Sequence, residues 1–105
     1  MVTLDENAND TVVQARRGDE IHLRLPENRT AGFRWQLDAT GDPACVLEEE
    51  SFEPPGSGPG LSGTRHWRFR CHAPGEGRIA AASRRSWEKA GSAGRTFDLT
   101  VQVSL

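Results

Sequence analysis

Phe97-Asp98-Leu99-Thr100-Val101-Gln102-Val103-Ser104-Leu105, at the C-terminal end, decides the fold. Phe97, Leu99, Val101, Val103 and Leu105 alternate with Asp98, Thr100, Gln102 and Ser104. A period of two puts alternate side chains on opposite faces of a strand, one face buried and the other in water. The same period runs through Ile21, Leu23 and Leu25 around His22 and Arg24. It returns in Trp67, Phe69 and Cys71 around His66, Arg68, Arg70 and His72.

Working outward, shorter strands are expected at Val2–Leu4, Thr11–Ala15, Phe33–Ala39, Cys45–Phe52 and Arg78–Ser83. Turn-forming clusters separate them: Arg17-Gly18-Asp19, Gly41-Asp42-Pro43, residues 54–63, Pro74-Gly75-Glu76-Gly77 and residues 91–94. No stretch carries a helical period. This spacing predicts an all-β fold, an antiparallel immunoglobulin-like β-sandwich of seven or eight strands. Residues 1–105 are read as a single domain with no helix longer than a turn or two. Leu23, Trp35, Trp67, Phe69, Leu99 and Val101 are expected between the sheets.

Composition narrows the function. Thirteen Lys+Arg against fifteen Asp+Glu give a net charge of −2, which favours neither nucleic acid nor an anionic membrane as partner. No apolar run approaches the ~20 residues of a membrane span, and residues 1–10 lack the features of a secretion signal. The expected location is either the cytoplasm or a secreted or periplasmic site reached with a leader since removed. Cys45 and Cys71 are expected as free thiols more than as a bridge, because a domain of this size needs no staple.

Catalysis and metal binding are not expected. His66 and His72 share an outward face with Arg68 and Arg70, whose charges oppose a cation, and His22 reads as one solvent-facing residue. No pair has zinc-ligand spacing. Cys71 and His72, adjacent on a strand, point to opposite faces and cannot act as a pair. Glu48-Glu49-Glu50 reads as a solvated edge that discourages aggregation. The glycine-rich run from Pro55 to Gly60 lacks the Lys-Ser/Thr ending of a phosphate loop. Trp87 stands just beyond a strand, next to charge and glycine. It is either a lid on the core or a binding anchor, and the anchor is favoured.

Three loops carry the unusual residues. Leu25-Pro26-Glu27-Asn28-Arg29-Thr30-Ala31-Gly32-Phe33-Arg34-Trp35 surrounds the first. Gly60-Leu61-Ser62-Gly63-Thr64-Arg65-His66-Trp67 holds the end of the second and the strand after it, and Arg85-Ser86-Trp87 opens the third. In order and spacing these segments resemble the chagasin family, immunoglobulin-like protein inhibitors of papain-type cysteine peptidases. The family carries Asn-Pro-Thr-Thr-Gly-Tyr/Phe, Gly-x-Gly-Gly and Arg-Pro-Trp in the corresponding loops. Arg29, Ala31 and Ser86 depart from that pattern, as do Leu61 and Ser62.

The resemblance implies a reversible, competitive inhibitor, with no enzymatic activity and no cofactor, that plugs the cleft of a papain-like cysteine peptidase. It implies a peptidase-binding set of Asn28, Thr30, Ala31, Gly32, Phe33, Gly60, Gly63, Arg85 and Trp87. Thr30 would sit near the catalytic cysteine, Gly60 and Gly63 would let backbone lie along the cleft, and Arg85 and Trp87 would pack on its leaving-group side. A monomer is expected. The alternative is an immunoglobulin-like binding or adhesion module without inhibitory activity; a carbohydrate-binding sandwich fits less well, with no tyrosine for a stacking platform.

Overall fold

In the computed structural model, residues 2–28, 32–55, 63–85 and 95–105 are described. They form eight strands: β1 (Val2–Leu4), β2 (Thr11–Arg16), β3 (Glu20–Glu27), β4 (Phe33–Pro43), β5 (Cys45–Glu53), β6 (Gly63–Cys71), β7 (Gly75–Arg85) and β8 (Arg95–Ser104). A three-residue 3₁₀ turn, Glu6–Ala8, links β1 to β2. The strands make two four-stranded sheets, β1-β3-β6-β5 and β2-β8-β7-β4.

The period of two has become a sandwich. On β3, Ile21, Leu23 and Leu25 are buried, and on β6 so are Trp67, Phe69 and Cys71. They face Ile79, Phe97, Leu99 and Val101 of the other sheet across one continuous core. All six residues expected between the sheets are there: Leu23, Trp67, Phe69 and Val101 fully enclosed, Trp35 and Leu99 nearly so. Each fully buried side chain of this size contributes roughly 1.5–3 kcal/mol, so these positions dominate the fold's stability. Leu105 continues the alternation but lies past the end of β8 and is exposed.

Two pairings differ from the antiparallel expectation. β1 runs parallel to β3 and β2 runs parallel to β8, at one edge of each sheet. The N-terminal segment therefore straddles the sandwich, giving its first strand to one sheet and its second to the other. Alternation reports which face is buried and carries no information about strand direction, so these pairings were invisible to it. The remaining pairings are antiparallel.

Two expected turns are strand. Gly41-Asp42-Pro43 ends β4, and Gly75-Glu76-Gly77 begins β7. β4 follows β7 with register shifts at Leu37/Ala39 and Thr40/Pro43, and its Asp42–Pro43 peptide is cis. Glycine is required at Gly77 for close approach, since a Cβ there would run into the Gly41 carbonyl.

The register fixes the ends of the molecule. Glu27 faces Gly63, and Glu53 faces Thr64. In the other sheet Phe33 faces Arg85 and Ser83 faces Arg95. The strand ends that flank loops 28–32, 54–62 and 86–94 therefore come together within their sheets, and the links from Glu27 and Asn28 to β4 described below join the two groups at one end of the sandwich.

Candidate functional site

The first loop leaves β3 and returns as β4. Its neck is closed by three hydrogen bonds. The Phe33 amide donates to the Asn28 carbonyl at 3.2 Å. The Trp35 indole Nε1 donates to the Pro26 carbonyl at 2.8 Å, and the Trp35 amide donates to Oε1 of Glu27 at 2.6 Å. Pro26 is tolerated inside β3 because β1 covers only Ile21–Leu23, which leaves β3 an open edge at that point. Gly32 has φ +87, a left-handed conformation that side chains other than glycine's seldom adopt.

The second loop is flanked by β5 and β6. Gly63, the first residue of β6, is buried. A Cβ there would run into the Phe52 ring and lie 2.7 Å from the Glu53 carbonyl oxygen, so the Phe52 ring takes the place of a side chain. At the start of the third loop, the Arg85 guanidinium carbon sits 4.4 Å from the Phe33 ring centroid. Phe33 and Arg85 are also direct partners across β4 and β7. The guanidinium stacks on the ring and joins the first neck to the third.

Of the residues expected to contact a peptidase, Asn28, Gly32, Phe33, Gly63 and Arg85 are described and lie at this one end. Thr30, Ala31, Gly60 and Trp87 lie outside the described residues.

Residues absent from the expected set underpin the same end. Glu27 occupies the inward phase of β3, directly after Leu25, and is 1% exposed. Arg65 occupies the inward phase of β6, two residues before Trp67. Its Nη2 lies 3.1 Å from Oε1 of Glu50, and its Nη1 lies 3.8 Å from Oε2 of Glu27. Glu50 in turn accepts the Trp67 indole N–H at 2.5 Å. The signal in the sequence was a charged residue at a position where the alternation calls for an apolar one.

The surface readings also change. The acidic run of β5 is not simply solvated: besides the Glu50–Arg65 pair, Arg68 reaches Glu49 at 2.9 Å and Arg70 reaches Glu48 at 3.5 Å. His22 and His66 are not separate solvated residues. Nε2 of His22 lies 2.8 Å from Nδ1 of His66, whose Nε2 lies 3.0 Å from Glu53. Burial holds the His22 pKa below its ordinary value, and His66, Arg24 and Arg68 push it the same way. Among the described residues, no group of three or more His, Cys, Asp or Glu is arranged to hold a metal ion.

Cys45 and Cys71 are free, buried and directly opposed across β5 and β6. Burial, and then the neighbouring thiol, push the Cys45 pKa up to about 12, and burial raises that of Cys71. Both stay protonated at neutral pH, which removes their nucleophilicity. What the end of the sandwich can do is bind: rigid necks present three loops, and the described chemistry supplies no activated nucleophile.

Comparison with known proteins accords with this geometry. Amoebiasin-1 of Entamoeba histolytica is 28% identical over 102 residues, which are 97% of this chain and 99% of that protein. The crystal structure of the cysteine protease inhibitor EhICP2, also from Entamoeba histolytica, matches with a TM-score of 0.83. It is 19% identical, over 97% of this chain and 94% of the other. PbICP-C, solved in complex with falcipain-2, matches with a TM-score of 0.57 at 17% identity, over 99% of this chain and 100% of the other. At those identities the two structures establish the fold. The model of the family described as chagasin family peptidase inhibitor I42 matches residues 14–101. The chain belongs to the chagasin family of peptidase inhibitors.

Proposed function

We propose that this chain, acting as one domain, is a reversible competitive inhibitor of papain-like cysteine peptidases. Its three loops fill the active-site cleft as a wedge. The observation that carries this reading is the gathering of the three loop necks at one end of the sandwich, in a chain of this family. EhICP2 is a cysteine protease inhibitor, and PbICP-C binds falcipain-2, which supports the same class of target here.

In this reading Thr30 approaches the catalytic cysteine, with Asn28, Ala31, Gly32 and Phe33 around it in the contact. Gly60 and Gly63 let the second loop pass close to the cleft wall. Arg85 and Trp87 cover the leaving-group side, with Arg85 already oriented by Phe33. Hydrogen-bonded necks lower the ordering cost of association, which favours tight binding by a small domain.

Titration of papain and several cathepsin-like peptidases with the purified domain tests the proposal. Inhibition at nanomolar to micromolar concentration that is relieved by excess substrate is expected. Failure against the whole panel at micromolar concentration returns the chain to the alternative of a binding module without inhibitory activity.

A further inference from the structure

We propose that Glu27 is a positioning residue for the inhibitory end, and that Arg65 links it to Glu50 so that the first two loops are held in one fixed relation. The proposal rests on the inhibitor reading and adds to it the internal element that sets the shape of the wedge.

Glu27 is the last residue of β3, and its carboxylate is almost fully enclosed. It reaches from one sheet to accept the Trp35 amide of the other at 2.6 Å. That bond sits at the neck of the first loop, beside the Trp35–Pro26 and Phe33–Asn28 bonds. Arg65 is the third residue of β6 after the second loop, and Glu50 lies on the strand that leads into that loop. The run Trp35–Glu27–Arg65–Glu50–Trp67 therefore crosses both necks, from the enclosed Glu27 through its ion pair with Arg65 to Glu50 at the surface, whose side chain is 40% exposed.

Burying charges is costly, and a buried ion pair often adds no stability over apolar groups of the same volume. An apolar side chain at position 27 would fill the space and leave the Trp35 amide without its acceptor. Directional bonds fix a geometry that apolar packing alone leaves soft. Arg65 has a further mark of constraint: its buried Nε finds no hydrogen-bond partner among the described residues, so the side chain is held by its Nη contacts and by Trp67, 5.9 Å from its guanidinium. If only a fraction of molecules held the necks in the docking geometry, apparent affinity would fall by that fraction.

The test uses the whole domain and four variants: Glu27→Ala, Glu27→Gln, Arg65→Met and, as a control at the opposite end of the sandwich, Val103→Ala. Two quantities are read at a temperature where each variant is folded: association and dissociation rates with papain, and exchange of the Trp35 backbone amide. For Glu27→Ala, Trp35 exchange is expected to rise about tenfold or more. Association is expected to slow about tenfold with dissociation little changed. Glu27→Gln keeps an acceptor for the amide and should fall between the two. Val103→Ala should lower the melting temperature and leave both quantities alone.

A folded Glu27→Ala whose Trp35 amide exchanges as slowly as wild type overturns the tie, whatever happens to inhibition. Equal slowing of association by Val103→Ala shows general loosening and also overturns the proposal. If Glu27→Ala does not fold, unchanged association in Arg65→Met overturns it. A wild type that inhibits no peptidase while Trp35 stays protected overturns the inhibitor reading and the docking role with it, leaving a structural tie alone.

Discussion

The middle of this sandwich and its loop-bearing end are built by different rules. In the middle, Ile21, Leu23, Trp67, Phe69, Leu99 and Val101 fill the space between sheets with apolar groups. At the loop end the inward positions hold Glu27, Arg65 and a bare Gly63, with Arg85 stacked on Phe33. Apolar burial is strong and non-directional, so it makes a stable body without dictating where a loop points. Hydrogen bonds and tight steric fits are directional; at the loop end they hold the loop necks, and at the other end the Gly77–Gly41 approach holds β7 on β4. This difference predicts that substitutions in the middle act on stability and those at the loop end act on binding.

That expectation breaks if substitutions in the two regions have the same effects. Leu23→Ala should cost about 2–5 kcal/mol of stability, measured by urea denaturation, because it opens a cavity in a close-packed layer. Its inhibition constant should stay at the wild-type value while the protein is folded. A large loss of inhibition by folded Leu23→Ala would mean that the body and the loops are coupled after all.

Trp87→Ala should reverse the pattern, weakening peptidase binding by about 2 kcal/mol, roughly thirtyfold, with little change in melting temperature. A large loss of stability with affinity intact would make Trp87 a lid on the core instead of an anchor.

Gly63→Ala probes both regions at once, since this buried residue also flanks the second loop. The added methyl meets the Phe52 ring and the Glu53 carbonyl, so a cost of about 1–3 kcal/mol in stability is expected. Because Phe52 and Glu53 lead into the second loop, inhibition should weaken as well. A fully stable Gly63→Ala would show that the Phe52 ring moves aside freely.

The smallest expected effect is a dependence on pH. The His22 pKa is lowered in the folded protein, first by burial and then by His66, Arg24 and Arg68, with Glu49 acting weakly the other way. The unfolded chain then takes up a proton at His22 before the folded protein does. The stabilising contribution is complete above the ordinary value of 6.5 and is lost as pH falls below it. His66 and Glu53 complete the set of titratable neighbours bonded to this site. The melting temperature should therefore decline from pH 7 to pH 5, and His22→Gln should flatten that decline. An unchanged slope in the variant would assign the effect to other groups.

The body was legible in advance because its burial is periodic. Ile21, Leu23 and Leu25, and likewise Phe97, Leu99, Val101 and Val103, announce both strand and inner face. Strand direction was not legible, because parallel β1 and β2 bury side chains in the same alternation as antiparallel strands do. Glycine and proline at 41–43 and 75–77 marked irregular backbone, yet the sheet absorbs both segments through register shifts and close glycine packing. At the candidate site, the loops stood out by composition and by resemblance. Glu27 and Arg65 did not, because pairing between residues far apart in sequence exists only once β3, β5 and β6 lie side by side. The same holds for His22 and His66, separate in the chain and bonded across two strands.

As proposed, the loop-bearing end occupies a peptidase's active-site cleft. The most direct measurement compares binding of this domain to papain with a free cleft and to papain whose catalytic cysteine carries a bulky, irreversible peptide-like blocker. Tight binding to the free enzyme is expected, with loss of binding by a hundredfold or more to the blocked one (on the order of 3 kcal/mol). Equal affinity for both forms would contradict it.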